Sequence, residues 1–213
     1  MTTEILTIDK GQCLTDVLPA IPANTIFDKT ITGCGATHSE IVNAARHSII
    51  IEPNIPVILG KKAEHPFLFA VYEGITKEDV KAYLAGEHDG YRKIITTPEG
   101  FDKKVLPAMH ELEIPVYKDY FLLFDECEKA IQDVGYRGDI YLPVEDFFKF
   151  ENKAMVSATP IVPSDPRFEE NGFKILKLVP TYDSRIELTL CTTNNTVAVM
   201  RKLLKRLENE TVC

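Results

Sequence analysis

Apolar residues along this chain fall in short, nearly unbroken runs and rarely alternate with polar ones. Ser48 to Glu52 (S-I-I-I-E), Phe67 to Tyr72 (F-L-F-A-V-Y), Lys93 to Thr97 (K-I-I-T-T), Tyr120 to Phe124 (Y-F-L-L-F) and Ala154 to Ser157 (A-M-V-S) are each too short for an ordinary helix. Continuous runs of that length predict strands buried on both faces, the kind found in a parallel sheet sandwiched by helices. Thr37 to Arg46, Lys77 to Leu84, Pro98 to His110 and Glu126 to Val134 are predicted as helices between them, with Thr76 as an N-cap and Gly86 as a stop. Ile26 to Ile31 (I-F-D-K-T-I) reads as an apolar turn ahead of the first helix. The alternation predicts an α/β fold with a mainly parallel sheet and helices on both faces.

After Pro160 the texture changes to a proline-broken connector, P-I-V-P-S-D-P-R-F. Apolar runs follow around Lys174 to Val179 and Ile186 to Cys191. Within Asn195 to Leu207, Val199, Met200, Leu203, Leu204 and Leu207 recur at near-helical spacing and predict a capped amphipathic helix. The break predicts a domain over residues 1–162 and a connector with a further segment over 163–213.

Composition narrows the class. A chain of 213 residues can bury one substantial core with a small appendage. No apolar stretch approaches the roughly 20 residues that span a bilayer. The start, M-T-T-E-I-L-T, lacks the basic and apolar regions of a signal peptide, so a cytoplasmic location with no membrane partner is expected. Cys13, Cys34, Cys127, Cys191 and Cys213 form no CxxC pair and no zinc spacing, which leaves reduced thiols as the simplest account. The net charge of −8 argues against a general basic coat for nucleic acid, while leaving room for a local groove.

The candidate chemistry sits at strand ends. Asp125 and Glu126 close the run Tyr120 to Phe124, where two acids either serve a cation such as magnesium or begin the next helix as a solvated acidic turn. Thr32 to Thr37, T-G-C-G-A-T, is either a structural turn or a loop whose backbone amides face a phosphate. A full phosphate loop reads GxxxxGK followed by Ser or Thr; here Ala36 holds the lysine position, Thr30 the first glycine position, and Thr37 keeps the hydroxyl. Lys29, at the entrance of the loop, is either a substitute for the missing lysine or a solvated turn residue. Thr97 before Pro98 reads as a helix cap, and E-P-N-I and V-S-A-T-P close two other strands. Cys34 and His38 stand four apart, yet no orienting acid marks a thiol nucleophile, and Cys127 reads as a small core or helix-start residue. His47, His65, His88 and His110 offer no metal triad by spacing.

In order along the chain, T-G-C-G-A-T, I-I-I-E-P-N, I-T-T-P-E, L-F-D-E-C-E and V-S-A-T-P resemble the five motifs of the first motor domain of superfamily-two, DEAD-like helicases. The G-x-G-A-T and D-E-C-E variants are similar to helicase-like proteins of phages and mobile elements. The resemblance implies a RecA-like fold of the P-loop NTPases, with ATP and Mg2+ as cofactors and nucleic acid as partner. It implies that Thr32, Gly33, Cys34, Gly35, Ala36, Thr37 and His38 surround the nucleotide and that Thr37 and Asp125 hold the metal; Lys29 is a separate expectation, as a lysine that reaches the phosphates in place of the family's own. Asp125 and Glu126 would be catalytic, with Glu126 activating water; Ser157, Ala158 and Thr159 would couple this site to a nucleic-acid surface at Pro53, Asn54 and Thr97.

The chain departs from the pattern at Ala36 and at Glu128, where the family often has histidine. The family also needs a second RecA-like domain with arginine fingers. Ile186 to Asn195 and the terminal helix resemble the opening of such a domain, so a fragment, a truncated product or a stand-alone adaptor is expected. Two functions stay open: a domain of a nucleic-acid-dependent ATPase, hydrolysing only when completed by its partner domain, or a RecA-like module that binds protein or nucleic acid without hydrolysis.

Overall fold

A computed structural model describes residues 1–31, 33–127, 144–159, 165–183 and 192–210. Eight strands, β1 (Thr3–Ile8), β2 (Thr25–Asp28), β3 (His47–Ile51), β4 (Phe69–Val71), β5 (Lys93–Thr96), β6 (Tyr120–Asp125), β7 (Asn152–Ser157) and β8 (Lys174–Pro180), form one sheet. Its order is β1-β8-β2-β7-β6-β3-β5-β4, and every described pairing is parallel. The α/β fold class and the parallel sheet are as the apolar runs predicted.

Each run is apolar throughout because both faces of its strand are covered. Ile49, Ile51, Ile94, Leu122 and Phe124 enter one core, while Ile50, Ile95, Phe121, Leu123 and Val156 enter the other. Successive side chains point to opposite faces, so neighbouring residues divide between the two cores. Helices α1 (Leu14–Val17), α2 (Ala36–Val42) and α3 (Ile55–Glu64) cover one face through Leu14, Ile41 and Ile58. The other face carries α4 (Lys77–Ala85), closed at the expected Thr76 cap and Gly86 stop. It also carries a segment that was predicted as one helix and divides into α5 (Pro98–Gly100), a π-helical turn (Phe101–Val105) and α6 (Leu106–Glu111). Pro107 lacks an N–H and cannot continue an α-helical ladder from Lys103, and the wide turn, with Leu106 N–H bonded to the Phe101 carbonyl, directly precedes it. A short helix α7 (Val116–Asp119) leads into β6.

Three expectations change. Ile26 to Asp28 is strand and not turn, because β2 pairs with β7 on one side and β8 on the other and is buried there. Neither β1 nor α3 was foreseen; α3 contains Pro56 and Gly60, and a proline in the first turn costs no helix bond. The chain divides into compact units Met1–Tyr182 and Asp183–Cys213, so the break drawn at 162 falls ahead of β8, which inserts between β1 and β2.

In the second unit a helix spans Thr196–Glu210, and its start is capped as expected, the Asn195 side chain accepting from the Ala198 N–H at 3.0 Å. Val197, Met200, Leu203 and Leu204 are exposed on it. The predicted helix beyond Cys127, including Glu128, lies outside the described residues, as do Pro160 and Ile186 to Cys191. Among the described residues no helix is long and apolar enough to cross a membrane.

Candidate functional site at the carboxyl edge of the sheet

In a parallel sheet the strand ends that carry loops toward one edge form the usual binding crevice. Here β7 separates β2 from β6, so the glycine loop after β2 and the acids ending β6 flank the Ser157 end of β7. The Lys29 N–H donates to the Ser157 carbonyl at 2.9 Å, and the Ser157 hydroxyl accepts from the Thr159 N–H at 2.9 Å. Ser157 is buried, Ala158 half-buried and Thr159 exposed, so S-A-T runs from the core to the surface between the two halves of the site.

Lys29 is 8 % exposed, and its Nζ lies 3.3 Å from Asp125 Oδ1 and 2.6 Å from Glu126 Oε1. The Thr37 hydroxyl donates to the other Asp125 oxygen, and the Glu126 N–H donates to Asp125 Oδ1 at 3.0 Å. Burial alone would lower the Lys29 pKa, but the Asp125 and Glu126 carboxylates outweigh it and hold the ammonium above its ordinary value. The solvated-turn reading of Lys29 is therefore replaced by a buried cation shared between two acids.

The loop is shaped by backbone conformations that favour glycine. Gly33 and Gly35 adopt φ of +74° and +89°, turning the chain into α2, whose first residue is the buried Ala36. Two other residues at this edge are left-handed without being glycine, Thr30 at φ +39° and Glu126 at φ +49°. Non-glycine residues held in that region carry strain, which concentrates where side chains must be aimed. Gly33 to His38, together with Lys29 and Lys61 of α3, line a cavity of about 160 Å³. Thr32, expected among the nucleotide residues, lies outside the described residues.

Cys34 is buried, and burial pushes its thiol above the ordinary value, the opposite of what a thiolate nucleophile requires. His38 is exposed, and its ring meets a different partner, its Nδ1 lying 3.2 Å from Nε2 of His65 at the end of α3. Cys127 is buried in the core. Among the described residues no cluster of three or more His, Cys, Asp or Glu side chains could hold a metal ion, and His47 opens β3.

The two other expected nucleic-acid segments occupy the same edge. One step beyond the register pair of Ile51 and Phe124, Glu52 follows β3 beside Asp125. Its carboxylate accepts from the Asn54 N–H at 2.8 Å and from Asn54 Nδ2 at 2.7 Å, so the half-buried Pro53 and Asn54 are tied to the acid cluster through Glu52. Burial, reinforced by the Asp125 charge, pushes the Glu52 carboxyl up to about 7 against the pull of Asn54. Thr97 is buried, and its hydroxyl caps α5 by accepting from the Gly100 N–H at 3.0 Å. Glu52, Lys61 and His65 were not singled out as site residues from the sequence; the acid closing I-I-I-E was the visible signal for Glu52, whereas Lys61 and His65 depend on α3.

Comparison with protein families finds no match, and comparison with curated proteins finds none. Among solved structures, the chain is similar to "Crystal structure of Pyrococcus furiosus Hef helicase domain", at 14% identity and a TM-score of 0.45. The similarity covers 75% of this chain and 35% of that one, so the chain corresponds to about a third of that protein's length.

Proposed function

We propose that this chain is a helicase-type, RecA-like domain that binds a nucleoside triphosphate with magnesium and responds to nucleic acid. The observation that carries the reading is the meeting of Lys29, Thr37, Asp125 and Glu126, which come from three separate segments, beside a glycine loop. The five-motif order from Thr32 to Pro160 supports the same reading.

The residues fit a magnesium ion by their chemistry. The Thr37 hydroxyl and the Asp125 carboxylate are adjacent hard oxygen donors, and magnesium characteristically takes one or two such groups with phosphate and water completing its shell. When bound, the metal neutralises charge developing on the transferred phosphoryl group. Lys29, held by both acids, adds positive charge to the phosphate site from the strand side. Glu126, at the mouth of the cluster, orients the attacking water and takes its proton. Ser157, Ala158 and Thr159 carry changes at this edge toward Pro53, Asn54 and Thr97, which contact the nucleic-acid backbone.

A second reading has its own support. Ala36 replaces the loop lysine, and Lys29 already engages both acids, which suits a module that binds without hydrolysis. Magnesium-dependent ATP binding and turnover, each with and without single-stranded DNA or RNA, separates the two. Binding without turnover selects the module, and turnover stimulated by either strand selects the motor domain. Absence of ATP binding in every condition sinks the motor-domain reading, and equal affinity for wild type and Lys29→Ala removes Lys29 from the phosphate site.

A further inference from the structure

The cavity beside the glycine loop has cationic groups from two separate elements. Lys29 enters from the end of β2 and Lys61 from α3, and His38 adds an imidazole. No carboxylate is among the described residues that line it, in a chain whose net charge is −8. Two ammonium groups and a glycine loop face this cavity, with Asp125 and Glu126 set behind Lys29, and such a lining offers contacts to an anion.

The two lysines are tethered differently. Lys29 is bonded to Asp125 and Glu126, whose side chains are 3 % and 20 % exposed, so turning it away uncovers a buried carboxylate. Lys61 Nζ contacts only the exposed Glu64 among the described residues, at 2.9 Å in an i,i+3 pair. Such a surface pair holds its partners weakly. An arriving phosphate therefore competes for Lys61 against a solvated carboxylate and for Lys29 against a buried pair.

We propose that Lys61 is the releasable phosphate-binding ammonium of this site, supplying from α3 the contact that a loop lysine would make and that Ala36 cannot. The ligand class is a polyphosphate, and under the reading above it is the terminal phosphates of a nucleoside triphosphate. Lys29 stays with the acids, and Lys61 leaves Glu64 to close on the anion.

The test is calorimetric titration of wild type, Lys61→Ala, Lys61→Arg and Glu64→Gln with two probes, MgATP and inorganic pyrophosphate. Lys61→Ala is expected to weaken both probes about tenfold or more, the size of one charge-assisted contact. Lys61→Arg should recover most of the affinity, and Glu64→Gln should tighten binding by removing the competitor, a gain that a purely structural role for Lys61 would not produce. Matching melting curves for the variants show that folding is intact. Wild type that binds MgATP as tightly as Lys61→Ala does overturns the role of Lys61 and leaves the nucleotide reading standing. Lys61-dependent binding of pyrophosphate without MgATP binding does the reverse, and binding of neither probe overturns both.

Discussion

The Nζ of Lys29 lies 2.6 Å from Oε1 of Glu126, although the two residues are 97 positions apart. The lysine follows the strand that precedes the glycine loop, the acid follows the strand that ends in Asp125, and one strand separates them in the sheet. The ion pair thus joins the two halves of the candidate site before any ligand arrives.

Removing that ammonium leaves the Asp125 carboxylate buried without its cation. Lys29→Met should lower unfolding free energy by roughly 3–5 kcal/mol, the usual cost of breaking a buried pair from one side. Urea denaturation measures it. Millimolar magnesium should restore part of the loss in the variant and little in the wild type, and no rescue would argue against a metal at Asp125.

Glu52 makes stability depend on pH. Its folded carboxyl keeps a proton up to about pH 7, whereas its ordinary value is 4.5. Between those values the folded state binds more protons, so stability falls as pH rises from about 4.5 to about 7, by roughly 3 kcal/mol at most. Glu52→Gln should flatten that portion of the curve in denaturation series across this range.

Glu40 organises a second buried cluster, away from the site. Its fully buried carboxylate accepts from Arg46 and Ser48, and Lys93 Nζ lies 3.5 Å away. Glu40→Gln leaves two cations facing a neutral amide and should cost roughly 3–5 kcal/mol. Burial pushes Lys93 down to about 8, so Lys93→Met, which removes a poorly solvated charge, should change stability far less. Thermal melts of the two variants at neutral pH compare them directly.

Gly100 is required by space. A Cβ there would lie 2.5 Å from Thr96 Oγ1, 3.1 Å from Thr97 Oγ1 and 3.2 Å from the Val71 carbonyl. Gly100→Ala should cost about 1–3 kcal/mol, as overpacking does. It should also displace the Thr97 cap, visible as faster amide exchange through Glu99 to Val105.

Much of the layout is visible one segment at a time. Tyr120 to Phe124 had to be a strand covered on both sides because every residue of it is apolar, and both cores accept its side chains. β2 was harder, since only Ile26 and Phe27 separate Thr25 from the polar residues that follow, and its burial between β7 and β8 comes from pairing partners more than 120 positions away. α3 was hidden because Pro56 and Gly60 look the same in a helix and in a loop until the first turn is located.

The sequence by itself determined the α/β class, the strand that carries Asp125 and Glu126, and the glycine loop, because each rests on local periodicity or local backbone demands. Only the tertiary structure decided what Lys29 does. A lysine at a loop entrance is a solvated turn residue or a buried cation depending on which strand lies across the edge, and that depends on the order β2-β7-β6. The same holds for Lys61, whose place at the cavity exists only because α3 packs beside the loop. Charge pairing across a sheet is a non-local property, fixed by strand order and register, and no single segment carries it.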